Sequence, residues 1–189
     1  MKITEIIMRH IKIIKSISLI ISLFLITSCS NNSAMKPEDF KNKEPRLIIE
    51  EYLSGNVKAW GVLQNRSGKV TRQFSAILNG TWDGKQLILK EKFNWDDGEV
   101  QDREWKINKI DEHNYEGTAG DVVGKAKGYS YGPAFKFEYV LLVPVKGKEM
   151  KITFDDWIFK QDDKVAINRA TMTKFGFKVA ELTVVFVKD

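Results

Sequence analysis

Two pairs of side chains in this sequence are spaced to act together: Glu91 with Arg103, and Asp155 with Arg169. A hairpin loop at Asp96-Asp97-Gly98 sets Trp95 opposite Glu99, Phe93 opposite Gln101, Glu91 opposite Arg103, Leu89 opposite Trp105 and Leu87 opposite Ile107. Side chains alternate between the faces of a strand. Glu91 and Arg103 therefore fall on a face otherwise built of Leu87, Leu89, Phe93, Trp95, Trp105 and Ile107. A second loop at Gln161-Asp162-Asp163 sets Phe159 opposite Val165, Trp157 opposite Ile167 and Asp155 opposite Arg169, again with the ions on an apolar face. Charges in such a place are costly unless paired, and a guanidinium can grip carboxylate or phosphate through two hydrogen bonds. The chemistry open to them is recognition of a polar head group inside an apolar interior, with the rings of Trp60, Trp95, Trp105, Tyr139 and Trp157 lining a pocket or, as aromatics more often do, forming a plain core. Opposite charges across strands are more commonly sheet stabilisers, and the same pairs serve to fix register or close the ends of a barrel. A slip of one residue would turn them out to solvent.

Other reactive side chains form no constellation. Paired carboxylates stand at Asp96-Asp97, Asp155-Asp156 and Asp162-Asp163. The first and last are turn residues, and neighbours within a strand point to opposite faces, so no hydrolase pair is expected. His113 lies in a turn beside Asp111 and Glu112, away from any nucleophile, which argues against a catalytic triad and against zinc. Gly117, Gly120, Gly124 and Gly128 are not followed by the Lys-Ser/Thr of a phosphate loop and read as bends in strands. The expectation is a binding protein without metal or cofactor rather than an enzyme.

The elements that must hold these residues are strands. Candidate segments are 56–66, 69–79, 85–95, 99–110, 113–119, 122–130, 134–145, 149–160, 164–174 and 178–188. Phe135, Phe137, Tyr139, Leu141 and Val143 alternate with Lys136 and Glu138, and Met150, Ile152 and Phe154 repeat the pattern. Turn chemistry separates the runs, as at Ser67-Gly68, Asp83-Gly84 and Asp97-Gly98. Short connections throughout favour an all-β fold, an antiparallel up-and-down barrel of about eight to ten strands. One short helix is expected near 44–53.

Ahead of this domain, Lys2, Arg9, Lys12 and Lys15 precede an apolar run from Ser16 to Ser28 that ends at Cys29. The run is shorter than the roughly 20 residues a membrane-spanning helix needs and has the shape of a secretory signal peptide. Ile26-Thr27-Ser28-Cys29 resembles the lipobox of bacterial lipoproteins, which implies cleavage before Cys29 and acylation of its thiol and new amine. Cys29 is the single cysteine of the chain, so no intramolecular disulfide can form and acylation gives the thiol a purpose. The expected organisation is a signal peptide at 1–28, a lipidated cysteine and flexible tether at 29–44, and a barrel at 45–189. By the sorting rules of Gram-negative lipoproteins, Ser30 implies a periplasmic-facing place on the outer membrane. Of 30 basic and 25 acidic side chains, the leader takes four and one, leaving 26 and 24, a net +2. That near balance, with no basic block, excludes a nucleic-acid partner. The expected partners are the membrane through the anchor, a lipid-like small molecule, and an envelope protein.

Across about 50–187 the chain resembles a family of proteobacterial lipoproteins known only as a domain of unknown function. The likeness rests on Ala59-Trp60-Gly61, Gly80-Thr81-Trp82-Asp83-Gly84, Arg103-Glu104-Trp105, Tyr115-Glu116-Gly117, Asp155-Asp156-Trp157 and Asn168-Arg169-Ala170. It implies a lipocalin-like barrel and supplies no activity, cofactor or site residue. The functional expectation is a lipid-anchored barrel binding a small amphiphile. The alternative is a structural or assembly accessory of the envelope with a filled core.

Overall fold

The computed structural model describes residues 34–145 and 147–189. The leader at 1–28 and Cys29 lie outside the described residues. Ten antiparallel strands close into a barrel: β1 (Gly55–Asn65), β2 (Val70–Trp82), β3 (Gln86–Trp95), β4 (Val100–Lys109), β5 (Asn114–Thr118), β6 (Ala126–Tyr131), β7 (Ala134–Val145), β8 (Lys148–Lys160), β9 (Val165–Lys174) and β10 (Phe177–Lys188). Each strand lies beside its neighbours in sequence, and β1 meets β10 from Val57↔Lys188 to Asn65↔Ala180, which leaves no free edge at the seam.

The period-two pattern decides which side chains face in. On β8, Ile152 and Phe154 are buried while Lys151 and Thr153 are exposed. On β7, Phe135 and Phe137 go to the core, and the facing strands make room for them. A side-chain carbon on Gly117 would lie 2.5 Å from the Phe137 ring, and one on Gly128 would lie 2.8 Å from Phe135. The glycines of β5 and β6 are thus sockets for aromatics, more specific than the bends expected of them. Fully burying a ring such as Phe135, 1 % exposed, contributes about 1.5–3 kcal/mol.

One end of the barrel is plugged. The helix expected over 44–53 is a single turn, α1 (Ile49–Tyr52); its Ile49 and Tyr52 are buried, as are the flanking Leu47 and Leu53. It is short because the chain turns into β1 at Gly55, and its last carbonyls are already met. Lys188 Nζ donates to the carbonyls of Glu51, Tyr52 and Ser54 at 2.6, 3.0 and 2.8 Å. Glu50, 3 % exposed, accepts from Tyr115 Oη at 2.9 Å and pairs with Lys109 Nζ, so the plug carries a matched ion pair. From Pro37 to Phe40 a short 3-10 turn lies outside the wall, and Phe40 packs on Trp157 and Phe159 with ring centroids 6.0 and 5.5 Å apart. The later part of the stretch expected as a flexible tether is therefore folded onto the barrel.

The opposite end is open, and one flank beside it is thin. β4 pairs with β5 only over Lys106–Lys109. The strand expected over 122–130 begins at Ala126, because the glycine-bearing segment 119–125 leaves the ladder. It pairs instead with β7, Val123 N–H donating to Val140 O at 2.8 Å and Leu142 N–H to Asp121 O at 2.9 Å. A slot remains between the first half of β4 and this segment, lined by Gln101, Arg103, Thr118 and Asp121.

Candidate functional site

The inside of the barrel holds a cavity of about 270 Å³ that opens at the unplugged end. A barrel of eight strands is already wide enough for one small ligand, and ten give more room. Leu89, Phe93, Trp105, Phe137, Tyr139, Phe154, Met172 and Leu182 are among the apolar side chains that line it. The rings of Trp105 and Tyr139 meet edge-on at 5.3 Å, and Tyr139 stacks on Phe154 at 4.9 Å.

Polar side chains from five strands and a loop project into this apolar wall. Glu91 on β3 lies opposite Arg103 on β4, the register read from the sequence, with Arg103 Nη1 3.9 Å from Glu91 Oε2. The two side chains are 12 % and 17 % exposed. Arg103 turns chiefly to Asp121 across the slot: Nη2 donates to Oδ2 at 2.7 Å, and Nε donates to both oxygens at 3.1 and 3.2 Å. Asp156 on β8 accepts from Tyr139 Oη at 2.8 Å and from the amide of Asn168 on β9. That amide also donates to Trp157 O at 3.1 Å.

Burial raises the proton affinity of the carboxyls. Glu91 is pushed up to about 7, mainly by desolvation, with Arg103 opposing and Asp156 and Asp121 adding repulsion. Desolvation also lifts Asp156 to about 6, against the hydrogen bonds from Tyr139 and Asn168. Tyr139 is driven well above the usual phenol range by burial and by Asp156. Burial thus brings two carboxyls of the apolar wall towards neutral pH, a property that clusters at functional sites.

Glu91, Arg103, Trp105 and Tyr139 come together inside, but the second pair does not. Asp155, Trp157 and Arg169 lie on the outer face. Trp157 is opposite Arg169 and Asp155 opposite Thr171, because the loop after Lys160 is longer than three residues and Lys160 pairs with Ala166. Arg169 is bonded to Glu181 of β10 at 3.0 Å, and Asp155 stands 3.6 Å from Lys136. Trp157 looks like a core residue because it is apolar and buried, yet Phe40 covers it from outside. The inward residues missed were Asp156, Asn168 and Asp121. Continuing the Met150-Ile152-Phe154 alternation by one step points to Asp156. Asn168 follows from the corrected register, whereas Asp121 is on an irregular segment with no period to read. His113 stays outside, stacked on Tyr131 at 4.1 Å, with Nδ1 2.9 Å from Ser130 O. Among the described residues, no three His, Cys, Asp or Glu side chains come close enough together to hold a metal ion. No helix of the described residues is long and apolar enough to cross a membrane.

Among solved structures, the S-type phycobiliprotein lyase CPES from Guillardia theta superposes with a TM-score of 0.56 at 10 % identity, over 74 % of this chain and 90 % of the lyase. A protein of unknown function of the DUF3598 family from Nostoc punctiforme superposes with a TM-score of 0.58 at 14 % identity, over 78 % of this chain and 51 % of the other. At such identities the likeness is one of fold, a lipocalin-like barrel. No curated protein matches the chain in sequence. The family model described as "Protein of unknown function (DUF3833)" matches residues 23–188, nearly the whole sequence, and the chain belongs to that family.

Proposed function

We propose that this protein is a carrier or receptor for a small amphiphile, held in the barrel interior and mounted on the periplasmic face of the outer membrane by acyl chains on Cys29. The observation that carries the binding reading is the open-ended cavity, with an apolar aromatic wall and polar groups converging midway along it. Ligand sites combine an apolar lining with a few placed polar groups in this way, whereas a structural core gains nothing from buried carboxyls. The address is supported by the leader and its terminal cysteine. The barrel neighbours are compatible with a ligand-binding fold and set no substrate.

Mass spectrometry of the protein isolated from its own membranes tests both halves. Native spectra are expected to show a bound small molecule that is lost in Met172→Trp, a substitution that fills the cavity wall. Denaturing spectra are expected to show a chain beginning at an acylated Cys29. An empty interior in the wild type removes the carrier reading, and an unacylated amino terminus removes the address.

One observation favours a second reading, an envelope accessory that grips another protein from outside. The β9–β10 hairpin ends in Phe175 and Phe177, 89 % and 72 % exposed. Crosslinking in cells from that hairpin to one dominant protein would support it.

A further inference from the structure

The charged groups of the interior are not balanced. At the plugged end Glu50 is matched by Lys109, and towards the mouth Arg72 is bonded to Asp97 and Glu99. Midway, three carboxyls share one guanidinium: Glu91 from β3, Asp121 from segment 119–125 and Asp156 from β8 face Arg103 from β4. Tyr139 from β7 and Asn168 from β9 are the other polar groups at that level.

Nor is the one cation free. Asp121 occupies Nε and Nη2 of Arg103, and Nη1 is the atom turned towards Glu91. An anionic head group would have to displace Asp121 and would sit against Glu91 and Asp156. Glu91, by contrast, lines the cavity with its nearest guanidinium nitrogen 3.9 Å away, too far for a hydrogen bond. It is a carboxyl in an apolar space that faces the indole N–H of Trp105 but has no cation within hydrogen-bond reach. The rings of Phe93, Trp105 and Tyr139 line the cavity beside it, and Arg103 already lies 5.8 Å over Phe93, so this aromatic wall suits a cation. The carboxyls do not converge as metal ligands do, so the complement is an organic cation.

We propose that the interior selects amphiphiles with a cationic, nitrogen-bearing head, an alkylammonium in the simplest case, seated between Glu91 and Asp156 with its tail along the apolar wall. This rests on the reading of the cavity as a ligand site and names the head-group chemistry that the site accepts. A cation there satisfies the surplus negative charge without uncovering Arg103, and it favours the ionised forms of Glu91 and Asp156. Binding therefore releases protons near neutral pH and weakens as the medium is acidified.

The test compares three probes of equal tail length, decylammonium, decanol and decyl sulfate. Each is titrated below its micelle concentration into the full chain, with quenching of Trp95 and Trp105 fluorescence or calorimetry as readout. Decylammonium is expected to bind at least tenfold tighter than decanol at pH 8, and decyl sulfate more weakly than decanol. The ammonium advantage is expected to collapse at pH 5. Glu91→Gln and, independently, Asp156→Asn are expected to cut the ratio of decylammonium to decanol affinity at least fivefold; both replacements keep the shape of the side chain. Equal binding of all three, or preference for the sulfate, overturns the head-group assignment and leaves the carrier reading standing. Binding of none overturns the carrier reading, and the assignment with it.

Discussion

Glu91 sets how the empty barrel responds to pH. Its ordinary value near 4.5 is raised to about 7, and that of Asp156 from 3.8 to about 6, so the folded state holds protons that the unfolded chain has already released. For a carboxyl raised in this way, the associated stability is complete below its unfolded value and is lost as pH rises through its folded value. The ligand-free protein is therefore expected to lose melting temperature between pH 5 and pH 8. Glu91→Gln, which cannot ionise, is expected to flatten that slope, as circular dichroism melts across the range would show; an unchanged slope would mean that Glu91 is not the group responsible. The exposed Asp83, Asp97, Asp111 and Asp162 are shifted down by hydrogen bonds they accept in turns or from Arg72. They act in the opposite sense and only in more acid solution. Nothing in the sequence states the shift of Glu91, since it depends chiefly on how fully the barrel buries the carboxyl and in smaller part on Asp156 and Asp121, distant in the chain. The pairing with Arg103 was legible, because a short loop with glycine at its positive-φ position, Gly98 at 87°, counts residues unambiguously.

Hairpins show where such counting works and where it fails. The β3–β4 register follows from its loop, but the β8–β9 loop is longer than its two aspartates suggest, and Asp162 spends its carboxylate on the backbone N–H groups of Lys164 and Val165. Misplacing Asp155, Trp157 and Arg169 had a second cause: part of the outer wall is apolar because Phe40 covers it. Strand patterning alone cannot distinguish a core from an outer face roofed by another segment. The β9–β10 hairpin turns on Phe175 and Gly176, both with positive φ, 52° and 80°. An L residue with a bulky side chain is disfavoured there by about 1–2 kcal/mol, and Phe175 gains little back, being 89 % exposed. Phe175→Asn is expected to raise the denaturation midpoint by an amount equivalent to about 1 kcal/mol with no change in m-value, as urea titration would reveal. No gain would mean that the turn is relaxed with phenylalanine in it.

The barrel domain of residues 36–189 is a cup with its floor held by a single helical turn. β2 runs so close under α1 that a side-chain carbon on Gly80 would lie 1.9 Å from Leu53 O, a backbone atom that cannot step aside without moving the plug. Gly80→Ala is expected to cost more than about 2 kcal/mol and to speed hydrogen exchange at residues 47–55 well beyond that of the barrel strands; uniform acceleration would show that floor and wall unfold together. The barrel was legible in the sequence because nearly every strand alternates and every connection is short. The floor was less so, since a one-turn helix carries too few residues for a periodic signal.

The seam between β1 and β10 has a consequence for how the protein is made. The first strand of the ring waits for the tenth, with which it pairs from Val57↔Lys188 to Asn65↔Ala180. Until Phe177–Lys188 docks on β1, the ring cannot shut, and the oily inner side of the nine earlier strands stays open to water and to other chains. Closure of this ring is thus an all-at-once event, and any helper that shields the open sheet must stay until its two most distant strands have met.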